Sequence, residues 1–228
     1  MPPFTDFCLG LADDRLILGH RLSEWCGHAP ILEEDIALAN IALDLIGQAN
    51  LLYGLVGDPD QLAYLRDAID YRNVLMVELP KGDFAFTIVR QFLFSVAALY
   101  QMDALSTNTN ADLAGIAAKA AKETRYHVRH AGDWMLKLGD GTEESHGRAQ
   151  DALNALWRYT GEMFLMDDLG IEPRWREAVT DVISRATLSV PETVYMQRGG
   201  RQGRHTEALG HLLSEMQILQ RSYPGAKW

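Results

Sequence analysis

The sequence predicts an all-α protein in which long helices pack as an antiparallel bundle. Apolar residues recur at helical spacing over long segments, whereas the alternating Val-, Ile- and Thr-rich pattern of β-strands is nearly absent. Only 8 prolines occur in 228 residues, and they lie between the periodic segments rather than within them. Because several long helices joined by short loops favour antiparallel packing, these observations indicate a helical bundle.

The periodic segments define eight predicted helices. They cover residues 12–27, 30–56, 59–78 with a break, 83–106, 110–138, 142–168, 172–188 and 205–222. The C-terminal helices are additional to the bundle. No linker or repeat divides the chain, so we expect residues 1–228 to form a single domain.

Local turn signals mark the ends of the first predicted helices. Gly27 can adopt the left-handed conformation that follows a helix, and Pro30 suits the first turn of the next one. Asp58 precedes Pro59, the pattern of an N-cap followed by proline at the first helical position. These signals predict where the first two loops between helices lie.

The next three helices also begin with capping residues. Asp83 precedes a long apolar run, Asn110 can cap the fifth predicted helix, and Thr142 can cap the sixth. The second predicted helix, 30–56, is apolar nearly all round. That pattern predicts a helix buried on most sides, in the middle of the bundle.

Composition and charge exclude several classes of protein. The chain has 21 basic and 31 acidic residues, and its net charge of -10 disfavours nucleic acid as a partner. The 2 cysteines form no metal or disulfide motif, so we expect reduced thiols. There is no secretory leader pattern and no run of about 18 apolar residues, so we expect a cytoplasmic protein without a membrane partner.

Two of the predicted helices carry polar stripes. Asn40, Asp44 and Gln48 recur at every fourth position of the second helix and therefore share one face. Glu123, His127 and His130 form a similar stripe on the fifth helix. Because a buried carboxylate needs a hydrogen bond, a charged partner or a metal, the two stripes predict a polar site inside the bundle.

A carboxylate-bridged di-iron centre is one chemistry that suits such stripes. Ferritin-like bundles hold two irons with two Glu-x-x-His motifs and two further carboxylates. Three residues after Asp44 and Glu123, however, this chain has Gly47 and Tyr126 instead of histidines. We therefore predict no metal site and no catalytic residues. We predict a relict polar cluster held by hydrogen bonds and ion pairs, with ordinary helix-surface residues as the alternative; its members are Asn40, Asp44, Gln48, Glu123, Tyr126 and His127.

A glycine-rich loop at 198–204 holds three arginines, Arg198, Arg201 and Arg204. Arginines in such a loop can bind a phosphate-bearing partner or a carboxylate-rich protein surface. A solvated loop without a partner is the alternative.

Four long segments resemble the C subunits of bacterial multicomponent phenylacetyl-CoA epoxidases. They are LSEWCGHAPILEEDIALANIALDLIGQA (22–49), YRNVLMVELPKGDFAFTIVRQFLF (71–94), KETRYHVRHAGDWMLKLGDGTEESH (122–146) and GRHTEALGHLLSEMQILQR (203–221). The resemblance covers most of the chain. It implies a ferritin-like all-α fold and a place in the complex that converts phenylacetyl-CoA to its 1,2-epoxide.

The resemblance also implies where the chemistry of that complex resides. A related A subunit holds the di-iron centre and binds the CoA ester, and a reductase with flavin (FAD) and an iron–sulfur cluster delivers electrons from NADPH. The C subunit is the structural partner of the A subunit and holds no cofactor of its own. On this interpretation the chain is a non-catalytic component of an enzyme; whether it forms a homodimer in isolation is left open.

A structural subunit must offer a large, partly apolar surface to its partner. The segment 71–79, with Arg72 and Asn73, and the three arginines of the loop are the candidate interface. The alternative for 71–79 is that its apolar residues simply belong to the core. Two other functions are also open: an autonomous di-iron oxygenase, and a ferritin-like scaffold protein outside any oxygenase.

Overall fold

A computed structural model describes residues 3–165, 169–192 and 195–226. Within these residues it contains helices and no strand, which confirms the all-α prediction. The α-helices are α1 Phe4–Ser23, α2 Leu32–Tyr53, α3 Pro59–Tyr64, α4 Leu75–Glu78, α5 Phe84–Leu105, α6 Ala111–Gly139, α7 Glu143–Leu156, α8 Glu172–Arg185, α9 Glu207–Met216 and α10 Ile218–Ser222. Shorter 3₁₀ segments lie at Ala68–Asp70, Trp157–Phe164 and Gly200–Gln202.

Two helical hairpins form the bundle. α1 packs along α2, α5 packs along α6, and α2 contacts α6. The connection from α2 to α5 is long and contains α3 and α4. Two hairpins joined by one long crossover are the topology of ferritin-like bundles. α7 and α8 cover the α5–α6 hairpin, and α9 packs against α4.

Side-chain caps fix the helix starts that the sequence predicts. Asp58, Asp83 and Asn110 each accept a hydrogen bond from the backbone N–H three residues further on. Thr142 forms a reciprocal capping box with Ser145. The break predicted within 59–78 is also present, since α3 and α4 are separate helices.

Several predicted helix boundaries are wrong. α1 begins at Phe4 rather than at residue 12 and ends at Ser23, so Gly27 lies in a left-handed turn beyond it (φ 77°). The N–H of Gly27 donates to Asp35 at 2.6 Å, which ties this turn to the start of α2. Pro30 precedes α2 instead of lying in its first turn. The helix predicted over 142–168 gives way to 3₁₀ geometry at Trp157, and its residues 166–168 lie outside the described residues.

α1 and α5 are the most buried of the long helices and α2 is not, which corrects the burial prediction. Nearly all of α1 from Leu11 to Leu22 is buried, including Asp13, Asp14 and Arg15. α2 instead leaves one apolar side in solvent. The sequence pattern misled us because the charges of α1 have partners inside the protein, whereas the outer side of α2 is apolar.

α2 and α5 are each long and apolar enough to cross a bilayer, by length and composition alone. Their most apolar windows have a mean hydropathy of 1.3, and 50% and 78% of those windows are buried within the protein. Core helices of water-soluble proteins meet the same criterion, so this feature is weak support for a membrane span.

Gly139 is where α6 meets the end of α8, and it offers a packing test. A Cβ added there would lie 2.1 Å from the carbonyl oxygen of Ala186. Gly139→Ala is therefore expected to lower the free energy of unfolding by about 1–3 kcal/mol, because the backbone must shift. Gly147→Ala in α7 is the control: a Cβ meets nothing within 4 Å there, and helix propensity predicts a slight gain. Denaturant melts of both variants measure the difference, and equal stability of the two would contradict the packing argument.

Candidate functional site

The two polar stripes meet where α2 and α6 run antiparallel, and we call this line the α2/α6 seam. Its members are Glu34, Asp44, Gln48, Glu123, His127 and His130. His127 Nε2 donates to Asp44 Oδ2 at 3.0 Å, and His130 Nε2 donates to Glu34 Oε2 at 2.8 Å. Gln48 Nε2 donates to Glu123 Oε2 at 2.9 Å. Three cross-helix pairs therefore join α2 to α6.

A buried cation of α1 extends the seam into the core. Arg15 Nε donates to Gln48 Oε1 at 3.0 Å, and its Nη1 donates to the carbonyl of Leu11 at 2.9 Å. The amide of Gln48 thus accepts from the arginine and donates to Glu123. Burial lowers the pKa of Arg15 to about 10, against the opposing attraction of Asp14, and the guanidinium remains charged at neutral pH.

His127 is a buried and neutral imidazole. Burial lowers its pKa, and the hydrogen bond and charge of Asp44 oppose that shift without reversing it. Because the Asp44 carboxylate can only accept, the proton of the ring lies on Nε2. Nδ1 is buried and has no hydrogen-bond partner among the described residues. The geometry suits a structural contact, with the ring fixed by one carboxylate.

The structure brings together four of the six residues predicted as a relict cluster. Asp44, Gln48, Glu123 and His127 lie in the seam, as described above. Asn40 and Tyr126 do not join its hydrogen bonds, which corrects their assignment. Asn40 is exposed, and Tyr126 is exposed with its ring stacked on that of His130 at 6.1 Å between centroids.

Sequence reasoning missed two members of this network. Glu34 shares the seam side of α2 with Gln48, which lies about four helical turns further on, and that spacing was a usable signal. Asp13, Asp14 and Arg15 together interrupt an apolar stretch of α1, which is the pattern of buried charges with specific partners.

The donor set of the seam does not fit a di-iron centre. Among the described residues no three His, Cys, Asp or Glu side chains come together as metal ligands. Each seam carboxylate is engaged by a partner of its own chain. Gly47 and Tyr126, which stand where histidines would be required, are both exposed, and a Cβ on Gly47 would meet nothing within 4 Å. That this chain holds no metal stays a prediction, which the donor geometry favours.

Comparison with known proteins identifies the family of this chain. A family model named PaaA_PaaC and described as "Phenylacetic acid catabolic protein" matches residues 2–228. The chain belongs to this family. A curated relative, the C subunit of the 1,2-phenylacetyl-CoA epoxidase of Escherichia coli strain K12, is 44% identical over 248 aligned residues, with 100% of both chains covered. The resemblance stated from the sequence is confirmed over the full length.

In this member of the phenylacetic acid catabolic family, the arginine loop folds back onto α1. Arg201 is buried, and its guanidinium forms a two-point ion pair with Asp14, at 3.0 Å from Nη1 to Oδ1 and 2.7 Å from Nη2 to Oδ2. Burial raises the pKa of Asp14, while Arg201 opposes that shift. This pair attaches the C-terminal loop, residues 195–206, to the centre of the bundle.

Two buried carboxylates hold the same loop against the segment before α5. Glu162 accepts from the backbone N–H groups of Gly199 and Arg201 at 2.9 and 3.3 Å, and from that of Leu75 at 2.9 Å. Glu78 accepts from the N–H of Thr206 at 2.6 Å. The loop and the 71–78 segment are thus joined inside the protein.

These contacts correct part of the candidate interface. Asn73 and Arg201 are buried and bonded within the chain, so they are internal residues. Arg72 is half-buried, and its guanidinium donates to the backbone carbonyls of its own segment. The alternative that the apolar part of 71–79 belongs to the core agrees with its burial. Arg198 and Arg204 are exposed, and their interface role stays a prediction.

His205 gives the C-terminal loop a pH-dependent contact. Its Nδ1 lies 2.7 Å from Glu78 Oε2, and its Nε2 lies 3.0 Å from the carbonyl oxygen of Tyr71. Both partners are acceptors, so the ring carries both protons when both bonds form. Burial alone would lower the pKa of His205, but the hydrogen bond and charge of Glu78 outweigh it, and the pKa is raised.

We expect the stability provided by His205 to decline at alkaline pH. Because the folded-state pKa is raised, the contribution is complete below the ordinary pKa of 6.5 and is lost as the pH rises through the folded value. His205→Gln should therefore lower the free energy of unfolding by about 1.5–3 kcal/mol at acidic pH and by less at pH 9. Urea melts across this range measure the change, with His211→Gln on the exposed side of α9 as the control. A pH-independent difference would contradict the charged state of His205.

Proposed function

We propose that this chain is the non-catalytic structural subunit of a phenylacetyl-CoA 1,2-epoxidase complex in aerobic phenylacetate degradation. In this role it pairs with the di-iron catalytic A subunit and stabilises it. Full-length similarity to the C subunit of an epoxidase supports membership of the complex. The donor geometry of the seam supports the non-catalytic role.

The observation that carries the proposal is how the seam carboxylates are engaged. Asp44, Glu123 and Glu34 each accept from a side chain across the seam, at distances of 2.8–3.0 Å. Such paired groups fix the register of α2 against α6, as buried polar contacts do in other helical assemblies. The seam therefore acts as a structural contact between helices, and the chain needs no cofactor for it.

On this proposal the cofactors of the reaction lie in other subunits. The di-iron centre belongs to the A subunit, and FAD, the iron–sulfur cluster and NADPH act through the reductase. The chain is a cytoplasmic protein with protein partners, without nucleic acid or membrane.

Reconstitution tests this function. The A subunit and the reductase are assayed for phenylacetyl-CoA epoxidation with and without this chain, and the iron of each purified subunit is measured. We expect activity to require the chain, with iron in the A subunit and in the reductase but none in this chain. Near-stoichiometric iron in this chain, with epoxidation in the absence of the A subunit, would instead establish an autonomous oxygenase. A scaffold outside any oxygenase would leave the activity unchanged.

A further inference from the structure

The outer side of α2 carries an unusual apolar stripe. Its members are Leu32, Ile36, Leu43 and Leu51, which are 72%, 53%, 67% and 38% exposed. They extend along about 28 Å of helix. A surface helix ordinarily presents polar residues to water, so an exposed row of large aliphatic side chains marks an interaction surface.

A basic stripe runs along the neighbouring helix. Lys119, Lys122, Arg125 and Arg129 are exposed on α6. Lys119 pairs with Glu123 and Arg125 with Asp103, but Lys122 and Arg129 have no ion-pair partner among the described residues. This concentration of positive charge contrasts with the net charge of -10 of the whole chain.

The two stripes belong to one surface because two carboxylates of the seam between them reach solvent. The side chain of Asp44 is 38% exposed, and that of Glu123 is 25% exposed. Tyr126 stands exposed on α6 over His130, next to the same line of contacts. We call the apolar stripe, the exposed part of the seam and the basic stripe together the α2/α6 face.

The charged residues of this face favour one kind of binding partner over the others. In a symmetric pairing of two copies, each copy would present the same exposed lysines and arginines to the other. A bilayer of anionic lipid would meet the carboxylates of Glu33 and Asp44, which lie near the apolar stripe. A protein partner that offers an apolar helix flanked by carboxylates complements both parts of the face.

We propose that the α2/α6 face is the docking surface for the catalytic subunit of the epoxidase complex. This inference rests on the proposed function and adds the surface and the chemistry of the contact. The apolar stripe provides the buried centre of the interface, and the lysines and arginines of α6 form its charged rim. The seam beneath them keeps the two helices in register for the partner.

Binding of the purified full-length chain to the purified A subunit tests the apolar stripe. Leu43→Glu buries a charge in the proposed contact, so we expect the Kd to rise at least about 30-fold, with a similar effect of Ile36→Glu. Ile69→Glu is the matched control, because Ile69 is 69% exposed but lies in the 3₁₀ segment before α4. Its Kd should remain within about threefold of the wild type. Because all three side chains are exposed, thermal melts should show unchanged folding.

A charge reversal tests the basic rim. Lys122→Glu with Arg129→Glu should slow association about tenfold at low salt, and the difference should shrink as salt is added. Arg198→Glu with Arg204→Glu examines the rival surface on the C-terminal loop, and we expect it to leave the rate unchanged.

The outcomes separate this proposal from the function on which it rests. If the wild-type chain does not bind the A subunit, the proposed function fails. If the wild type binds and Leu43→Glu binds equally well, or only the Arg198 and Arg204 pair weakens binding, the docking face is wrong. Sedimentation of the chain alone and co-sedimentation with phosphatidylglycerol vesicles complete the test. Loss of a homodimer or of vesicle binding in Leu43→Glu, with A-subunit binding intact, would also overturn the proposal.

Discussion

Replacing Arg201 with methionine is expected to lower the free energy of unfolding by about 3–5 kcal/mol. The guanidinium and the Asp14 carboxylate are both almost completely buried, with side chains 4% and 3% exposed. Methionine fills part of the space but leaves the carboxylate without its cation. Arg201 also donates to the carbonyl of Gly10 at 2.9 Å and to that of Arg72 at 2.7 Å, so two backbone acceptors lose a donor as well.

Chemical denaturation of Arg201→Met measures this loss, and Arg198→Met in the same loop is the control. Arg198 is exposed, so its substitution should change stability by no more than about 0.5 kcal/mol. The double variant Asp14→Asn with Arg201→Met should be less destabilised than the sum of its single variants, because each single change leaves an unpaired group. Equal stability of Arg201→Met and Arg198→Met would show that the ion pair contributes little.

Local chemistry made the helix starts predictable from the sequence. Asp58, Asp83, Asn110 and Thr142 satisfy backbone N–H groups within one turn of themselves, so each cap depends only on its immediate neighbours. The start of α1 lacked such a signal, since Pro3 precedes it without a side-chain cap. The prediction began that helix eight residues too late for this reason.

Burial was harder to predict because it depends on distant partners. Asp13 binds Arg66 and Tyr53, and Asp14 binds Arg201, which is 187 positions away in the chain. No periodicity in α1 reveals these contacts, and charged residues ordinarily indicate an exposed surface. The apolar exterior of α2 misled us in the opposite sense, because its exposed aliphatic side chains have the composition and spacing of a core side.

The candidate site was predictable in its residue types but not in its pairings. Helical spacing placed Asp44 and Gln48 on one side of α2, and Glu123 and His127 on one side of α6. The choice of partner across the seam depends on the axial offset between α2 and α6, which the sequence pattern does not specify. Asn40 and Tyr126 were assigned to the cluster because a helical wheel gives only the angular position of a residue around its helix. It does not show whether that position contacts a neighbouring helix or lies just outside the contact.

Substitution of Glu162 is the second change that we expect to lower stability strongly, because its one carboxylate accepts hydrogen bonds from two separate parts of the chain. Its two oxygens accept three backbone N–H groups, two in the C-terminal loop and one at the start of α4. Glu162 itself is fully buried. Glu162→Leu keeps much of the volume but leaves three buried donors without an acceptor, so we expect a loss of about 3–5 kcal/mol.

The graded variant Glu162→Gln separates hydrogen bonding from packing at this position. Its carbonyl oxygen can still accept from Gly199 and Arg201, but its amide NH₂ meets the N–H of Leu75, donor against donor. The expected loss is therefore smaller, about 1–3 kcal/mol. Glu215→Gln, on the exposed side of α9, is the control.

In limited proteolysis the C-terminal loop of Glu162→Leu should be cut faster than that of Glu162→Gln, since release of the three N–H groups frees it from α4. A Glu162→Leu variant that melts with the wild type and resists cleavage would mean that packing alone holds the loop.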